Sequence, residues 1–242
     1  MVRSWLRLFR VVNLPTVPGD VLAGVASSAL ACNRYSPTVV AWVSVLSILI
    51  YMFGLLDNDI VGAKTDRGRP IADGEISLKT AWTVWFVLFI AVPVIAVLAG
   101  VPREVGTPAF LLQLTILVYN RTKSAIAMGC CRGINVGCGF AASVGTADAI
   151  RLDWTLLPPF VVAAVFTLYI AAVTKYSEGE ETDPERKRRV GFLIGAHVYL
   201  QLVTLIVFAL LAPSTMPLLV AGAVLLMVLR VMKHMLPGVS AS

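Results

Sequence analysis

A polar segment from Leu55 to Ser77 interrupts an otherwise apolar chain and holds the residues best suited to chemistry. Asp59 and Asp66 are seven residues apart and would share one face of a helix, and Asn58 directly precedes the first of them. Carboxylate and amide oxygens suit Mg²⁺, which proteins bind through one or two carboxylates together with substrate phosphates. The segment therefore predicts a magnesium and phosphate site, although a loop whose charges are merely solvated would carry similar residues.

A second polar segment, residues 118–139, contains Arg132 inside an apolar stretch. An ionised side chain within a span is costly unless it faces a polar cavity or a partner, and Asn135 lies three residues on along the same face. Asp20, another acid in an apolar segment, begins the stretch from about 17 to 31. Two interpretations stay open: a substrate cavity lined by these residues, or a packing pair between Arg132 and a buried acid such as Asp20.

Four glycines occur in the same segment as Arg132, at positions 129, 133, 137 and 139. Small residues let helices approach one another closely in membranes. The glycines therefore predict that a neighbouring helix or a ligand approaches this helix closely.

A third polar segment, residues 169–189, carries Glu178 and Glu181 at a spacing that shares a helical face. Gly179 between them weakens a helix at this point. The pair predicts a second acidic site, and the alternative is an ordinary charged loop.

The composition predicts a polytopic membrane protein. Of 242 residues 58% are hydrophobic and only 14% are charged, and the mean hydropathy is +0.83. Soluble domains are far less apolar. The net charge of +6 reports topology rather than a nucleic-acid partner. The cysteines lack the CxxC spacing of zinc or redox sites, and the arginine-rich first ten residues do not resemble a cleavable signal peptide.

The apolar stretches predict an all-α membrane helical bundle with about eight transmembrane helices in a single domain, 1–242. Residues 1–13 predict an interfacial amphipathic helix, with arginines along one side and Trp5 on the other. Residues 57–77 form the first acidic cytoplasmic motif and residues 175–189 the second acidic cytoplasmic loop. The predicted spans are about 17–31, 38–57, 79–100, 107–120, 124–146, 155–175, 190–212 and 215–232.

Alternate loops differ sharply in positive charge. One set of loops holds sixteen of the twenty Lys and Arg residues, and the other holds only Arg34, Arg103 and Arg151. By the positive-inside rule both termini and the Asn58 to Asp66 motif are cytoplasmic, which in a bacterium places the chain in the inner membrane.

The first polar segment resembles the first aspartate-rich motif of the UbiA superfamily of intramembrane prenyltransferases, NDxxDxxxD followed by RPxxxG. The middle Asp of that motif is Gly62 here. Tyr119 and Lys123 match a Y-x-x-x-K element of the superfamily, and residues 10–24 resemble its first-helix signature. The closest likeness is to a bacterial branch that includes EboC-like proteins. The positions that match the first motif are Asn58, Asp59, Asp66, Arg69, Pro70, Ile71, Gly74, Ile76 and Ser77.

The resemblance implies Mg²⁺-dependent transfer of a prenyl group from an allylic prenyl diphosphate to an aromatic or other lipophilic acceptor within the bilayer. The superfamily has nine spanning helices, so a ninth is expected to be absent here. The implied metal ligands are Asn58, Asp59, Asp66, Glu178 and Glu181. The implied catalytic residues are Asp59, Asp66, Lys123 and Arg132. The implied substrate-binding residues are Asn13, Asp20, Arg69, Tyr119, Asn135 and Tyr169.

Two other functions remain open at this stage. Gly62 and the altered second motif favour a related protein that binds or helps export a lipid or metabolite without transferring a prenyl group. An unrelated transporter is disfavoured, because the charged residues gather at one face rather than at the midplane between two halves.

Overall fold

A computed structural model of the chain describes residues 2–179 and 183–236. Within these ranges the secondary structure is helical, apart from one isolated β-bridge between Cys32 and Ile150. Short 3-10 helices precede α2, α7 and α9. The α-helices are α1 Val2–Leu8, α2 Val17–Ser28, α3 Pro37–Val61, α4 Leu78–Leu98, α5 Arg103–Thr122, α6 Ala125–Val144, α7 Leu157–Ser177, α8 Pro184–Leu211 and α9 Met216–Met235.

Helices α2 to α9 coincide with the eight predicted spans, which confirms the all-α membrane bundle. Six of the described helical segments are long and apolar enough to cross a membrane, the exceptions among the eight being α2 and α5. With 12 residues, α2 is roughly 18 Å long, less than the ~30 Å hydrocarbon core. All of its residues are buried, so the other helices surround it.

Side-chain caps fix where several helices begin. Ser36, Ser77 and Ser124 each accept a hydrogen bond from the backbone N–H three residues on, at the starts of α3, α4 and α6. Asp183 accepts two such bonds at the start of α8. These caps satisfy N–H groups that the first turn of a helix leaves without a partner.

Glycines bring α2, α6 and α7 into backbone contact. A Cβ on Gly139 would lie 2.1 Å from the Val21 carbonyl oxygen, and one on Gly129 would lie 2.2 Å from the Thr167 carbonyl oxygen. The predicted close approach is thus confirmed at positions 129, 133 and 139. At Gly137 a Cβ would meet open space.

The amino-terminal amphipathic segment is two helices rather than the one expected. Helix α1 ends at Leu8, Arg10 adopts a left-handed conformation with φ 43°, and a 3-10 helix follows over Val11–Thr16. The left-handed residue redirects the chain, so a continuous helix over residues 2–13 cannot form.

Alternate loops lie at opposite ends of the bundle, as expected from the alternation of their positive charge. At one end Arg34 pairs with Asp148 at 2.7 Å, and the Tyr35 hydroxyl donates to the Ser214 carbonyl. At the other end Arg7 pairs with Glu75 at 2.9 Å. The second end carries the first acidic motif.

Candidate functional site

One guanidinium joins the two carboxylates of the first motif. Arg69 Nη1 lies 3.0 Å from Asp59 Oδ1, and Arg69 Nη2 lies 3.3 Å from Asp66 Oδ2. Asp59, near the end of α3, is buried, whereas Arg69 and Asp66 are each about 30% exposed. The predicted acidic residues therefore converge, but not on one helical face as expected, because α3 ends at Val61 and Asp66 lies in the loop that follows. Their shared partner is a cation suited to binding phosphate.

The loop after α3 holds Arg69 in place through its own sequence. Gly68 and Gly74 have φ of +85° and +75°, conformations that L side chains rarely adopt. Asp73 Oδ1 accepts a hydrogen bond from the Gly68 N–H at 3.0 Å. Ile71 and Ile76 are buried in a cluster with apolar residues of α1, α3 and α4. Two apolar anchors and two glycine turns thus present the Arg69 side chain to the end of α3.

Lys123 brings the α5–α6 junction to the same place. Its ammonium donates a hydrogen bond to Asn58 Oδ1 and lies 5.7 Å from the centre of the Tyr119 ring. Burial lowers the pKa of Lys123, and the positive charge of Arg69 lowers it further, while Asp66 has the opposite effect. Lys123 therefore shares the electrostatic environment of the acidic motif.

Asp57 is a member of this region that sequence reasoning missed. Its fully buried carboxylate accepts hydrogen bonds from Trp85 Nε1 at 3.1 Å, Asn120 Nδ2 at 2.9 Å and Arg121 Nη1 at 3.1 Å. These donors come from α4 and α5, so Asp57 fixes the end of α3 against both helices. The available signal was the run Asp57-Asn58-Asp59. Consecutive side chains on a helix point in different directions, so Asp57 and Asp59 had to have different partners.

A second polar cluster is buried between α2, α6 and α8. Asp20 is fully buried, and its carboxylate accepts hydrogen bonds from Arg132 at 2.9 Å, Asn135 at 3.1 Å, His197 at 2.9 Å and Gln201 at 2.7 Å. The pairing of Asp20 with Arg132 is the one that the packing interpretation predicted. A role of these residues in substrate binding stays a prediction.

His197 and Gln201 were missed in the sequence. They lie four residues apart in the apolar stretch of α8, a spacing that places both on one helical face. That spacing was the usable signal, but their partner Asp20 lies 177 and 181 residues away along the chain.

Tyr169 and Asn13, two further residues predicted to bind substrate, form their hydrogen bonds with residues other than those of the first acidic motif. The Tyr169 hydroxyl donates to the Leu193 carbonyl at 2.7 Å, and the ring stacks on His197. The backbone carbonyl of Asn13 accepts a hydrogen bond from Thr16 Oγ1 at 2.8 Å, and its N–H donates to the Arg10 carbonyl at 2.7 Å. Tyr169 thus joins α7 to α8.

The second acidic motif is only partly described. The carboxylate of Glu178 pairs with Lys175 at 2.7 Å and is 61% exposed, while Glu181 lies outside the described residues. Residues 2–179 and 183–236 contain no group of three acidic, histidine or cysteine side chains placed to hold a metal ion. A ligand set that joins both motifs stays a prediction.

The first motif alone fits the chemistry of Mg²⁺. Two carboxylates converge on the head of Arg69, and the Asn58 amide oxygen lies next to them in sequence. These are hard oxygen donors, and Mg²⁺ needs only one or two carboxylates when phosphate and water oxygens complete its shell. In the structure Arg69 pairs with both carboxylates, so binding of Mg²⁺ would require Arg69 to give up at least one of these ion pairs.

Comparison with known proteins identifies a shared fold. No family model and no curated protein sequence matches the chain. A UbiA homolog from Archaeoglobus fulgidus bound to DMAPP and Mg²⁺ aligns over 97% of this chain and 87% of its own, with TM-score 0.56 and 15% identity. An apo UbiA homolog from Aeropyrum pernix K1 aligns over 95% and 90%, with TM-score 0.59 and 17% identity. A digeranylgeranylglyceryl phosphate synthase aligns over 99% and 92%, with TM-score 0.53 and 16% identity. At these identities the likeness establishes a UbiA-like fold.

Proposed function

We propose that this protein is an intramembrane prenyltransferase of the UbiA superfamily, from a branch close to EboC-like proteins. It transfers a prenyl group from an allylic diphosphate to an aromatic or other lipophilic acceptor. The observation that carries the proposal is the convergence of Asp59, Asp66, Arg69 and the Lys123–Asn58 pair at one end of the bundle. Structures of this fold have been determined with DMAPP or GPP and Mg²⁺ bound.

The residues divide by charge into two roles. The carboxylates of Asp59 and Asp66, with the Asn58 amide oxygen, would hold Mg²⁺, which neutralises diphosphate charge and makes it a better leaving group. Arg69 and Lys123 would donate charge-assisted hydrogen bonds to the diphosphate oxygens. The recognised ligand is therefore a diphosphate at the membrane surface, with its tail in the bilayer.

The reaction breaks the allylic C–O bond and leaves both electrons on diphosphate. The allylic carbocation is then attacked by an electron-rich carbon or heteroatom of the acceptor, which afterwards loses a proton. Such a cation survives only where water is excluded, and the apolar interior of a helical bundle meets that requirement. We place the site at the cytoplasmic face of a bacterial inner membrane, following the positive-inside rule.

The test measures diphosphate release from prenyl diphosphates of several chain lengths in membrane extract that supplies acceptors. We expect Mg²⁺-dependent release that falls by about a hundredfold or more in Asp59→Asn and Asp66→Asn, because each removes a charged metal ligand. Asp148→Asn is the matched control, since it removes one exposed carboxylate at the opposite end. Full turnover in both motif variants would refute the site.

A second candidate function is supported by a specific observation. Gly62 replaces a carboxylate of the motif, and Arg69 already occupies both remaining carboxylates. A protein of this kind would bind a prenyl diphosphate or a related lipid without transferring its prenyl group. Binding that is weakened by Lys123→Gln, with no diphosphate released for any donor length, would identify this function instead.

A further inference from the structure

A cavity between α7 and α8 adjoins the second acidic loop and shares no lining residue with the first acidic motif. It has a volume of about 500 Å³ and is lined by Tyr176, Arg188, Arg189, Phe192 and Leu193. Its walls therefore combine two guanidinium groups, two aromatic rings and an aliphatic side chain.

The length of α8 places this cavity at the membrane surface. The helix has 28 residues and is roughly 42 Å long, whereas the hydrocarbon core is ~30 Å thick. Its charged first turns, residues 184–189, therefore extend beyond the hydrocarbon, and the apolar run begins at Val190. We therefore expect the two arginines at the depth of the lipid phosphates, with Phe192 one turn deeper.

One guanidinium of the cavity has no ion-pair partner among the described residues. Arg189 pairs with Glu185, whereas Arg188 forms no ion pair with any described residue. Over residues 175–189 five bases are balanced by five acids, so the positive charge is local to the turn 186–189. A bound anion would find an exposed guanidinium at Arg188.

The apolar part of the cavity indicates that the anion carries a hydrocarbon tail. Phe192, which lines the cavity, is 74% exposed. It follows the cationic turn by one helical turn, toward the apolar part of α8. We propose that this cavity binds the phosphate of an anionic phospholipid, with the arginines on the head group and an acyl chain along Phe192. The cavity shares no lining residue with the Asp59 and Asp66 site, so lipid binding here is tested separately from prenyl transfer.

The test titrates the full-length protein in detergent with phosphatidylglycerol and counts bound lipid by native mass spectrometry. Arg188→Gln and Arg189→Gln should each weaken binding about fivefold, the effect of one cation at a lipid surface. Lys187→Gln is the matched control, because it removes the same charge from the same turn but does not line the cavity. It should stay within about twofold of wild type.

Two further arms separate the lipid from other sources of binding. Phe192→Ser leaves every charge in place and should still weaken phosphatidylglycerol binding, while inorganic phosphate in excess should not displace the lipid. Equal losses in Arg188→Gln and Lys187→Gln would show a diffuse surface attraction and overturn the proposal. Complete displacement by inorganic phosphate, or no loss in any variant, would overturn it as well.

Discussion

Position 62 is where this chain departs most clearly from the acidic motif that it resembles. A Cβ on Gly62 would lie 2.3 Å from Asp66 Oδ2, so a side chain here would point at the acidic cluster rather than away from it. The neighbouring atom is the end of a flexible side chain, which can move. The position is thus able to contribute a metal ligand, and the wild-type chain leaves it without one.

Gly62→Asp should therefore raise the affinity for Mg²⁺. A third carboxylate adds a charged oxygen donor next to Asp66, and we expect the dissociation constant to fall about tenfold, equivalent to ~1.4 kcal/mol. Calorimetric titration of the purified protein with Mg²⁺ measures this directly. Gly62→Asn, which has nearly the same size without the charge, is the control. An unchanged affinity in Gly62→Asp would mean that this cluster does not bind the metal.

Contacts in the site could be predicted from the sequence only where the interacting residues lie close together along the chain. Arg69 lies ten residues from Asp59 and three from Asp66, and one short motif contained all of them. The partner of Arg132 was open between a substrate and a buried acid, because the sequence does not give helix adjacency. His197 was missed: its spacing from Gln201 indicates a polar helical face, but nothing local indicates that the partner is Asp20.

The glycine spacing on α6 predicted its contacts with neighbouring helices only in part. The sequence predicted close approach at four glycines of α6, and the structure shows it at three, with open space beside Gly137. The 3.6-residue periodicity identifies which residues share a helical face, but which face meets a neighbour is decided by the whole bundle. The left-handed turn at Arg10 was not expected for another reason: this conformation usually falls on glycine, asparagine or aspartate, so an arginine gives no local signal for it.

Gly139→Ala should separate α2 from α6 and weaken the Asp20 cluster that joins them. The added methyl group meets the Val21 carbonyl, a backbone atom that cannot move alone, and overpacking of this kind costs about 1–3 kcal/mol. Gly137→Ala makes the same change on the same helix in open space and should be neutral, or stabilising by up to about 1 kcal/mol. Thermal unfolding in detergent compares the two. Equal stability of both variants would contradict the close packing.

For the molecule as a whole, the two ends of the bundle differ in charge and in chemistry. The end with Arg34 and Asp148 is joined by a surface ion pair and backbone contacts. The opposite end carries the acidic motif, Lys123 and the basic first turns of α8. Charge counting in the sequence predicted this separation, because the loops alternate between ends, and the helices α2 to α9 preserve that alternation.

The remaining question at this scale is which end faces the cytoplasm. The positive-inside rule places the end with the acidic motif there, because nearly all of the cationic loops belong to it. In intact cells, a membrane-impermeant maleimide should then label Ala149→Cys and leave Lys64→Cys unlabelled until the membrane is permeabilised. Both side chains are exposed, and the backbone bonds of Ala149 do not depend on its side chain. The wild-type chain, whose described cysteines are buried or half-buried, gives the background labelling. Labelling of Lys64→Cys alone in intact cells would show the opposite orientation. Any diphosphate site would then lie on the outer face, away from cytoplasmic prenyl donors.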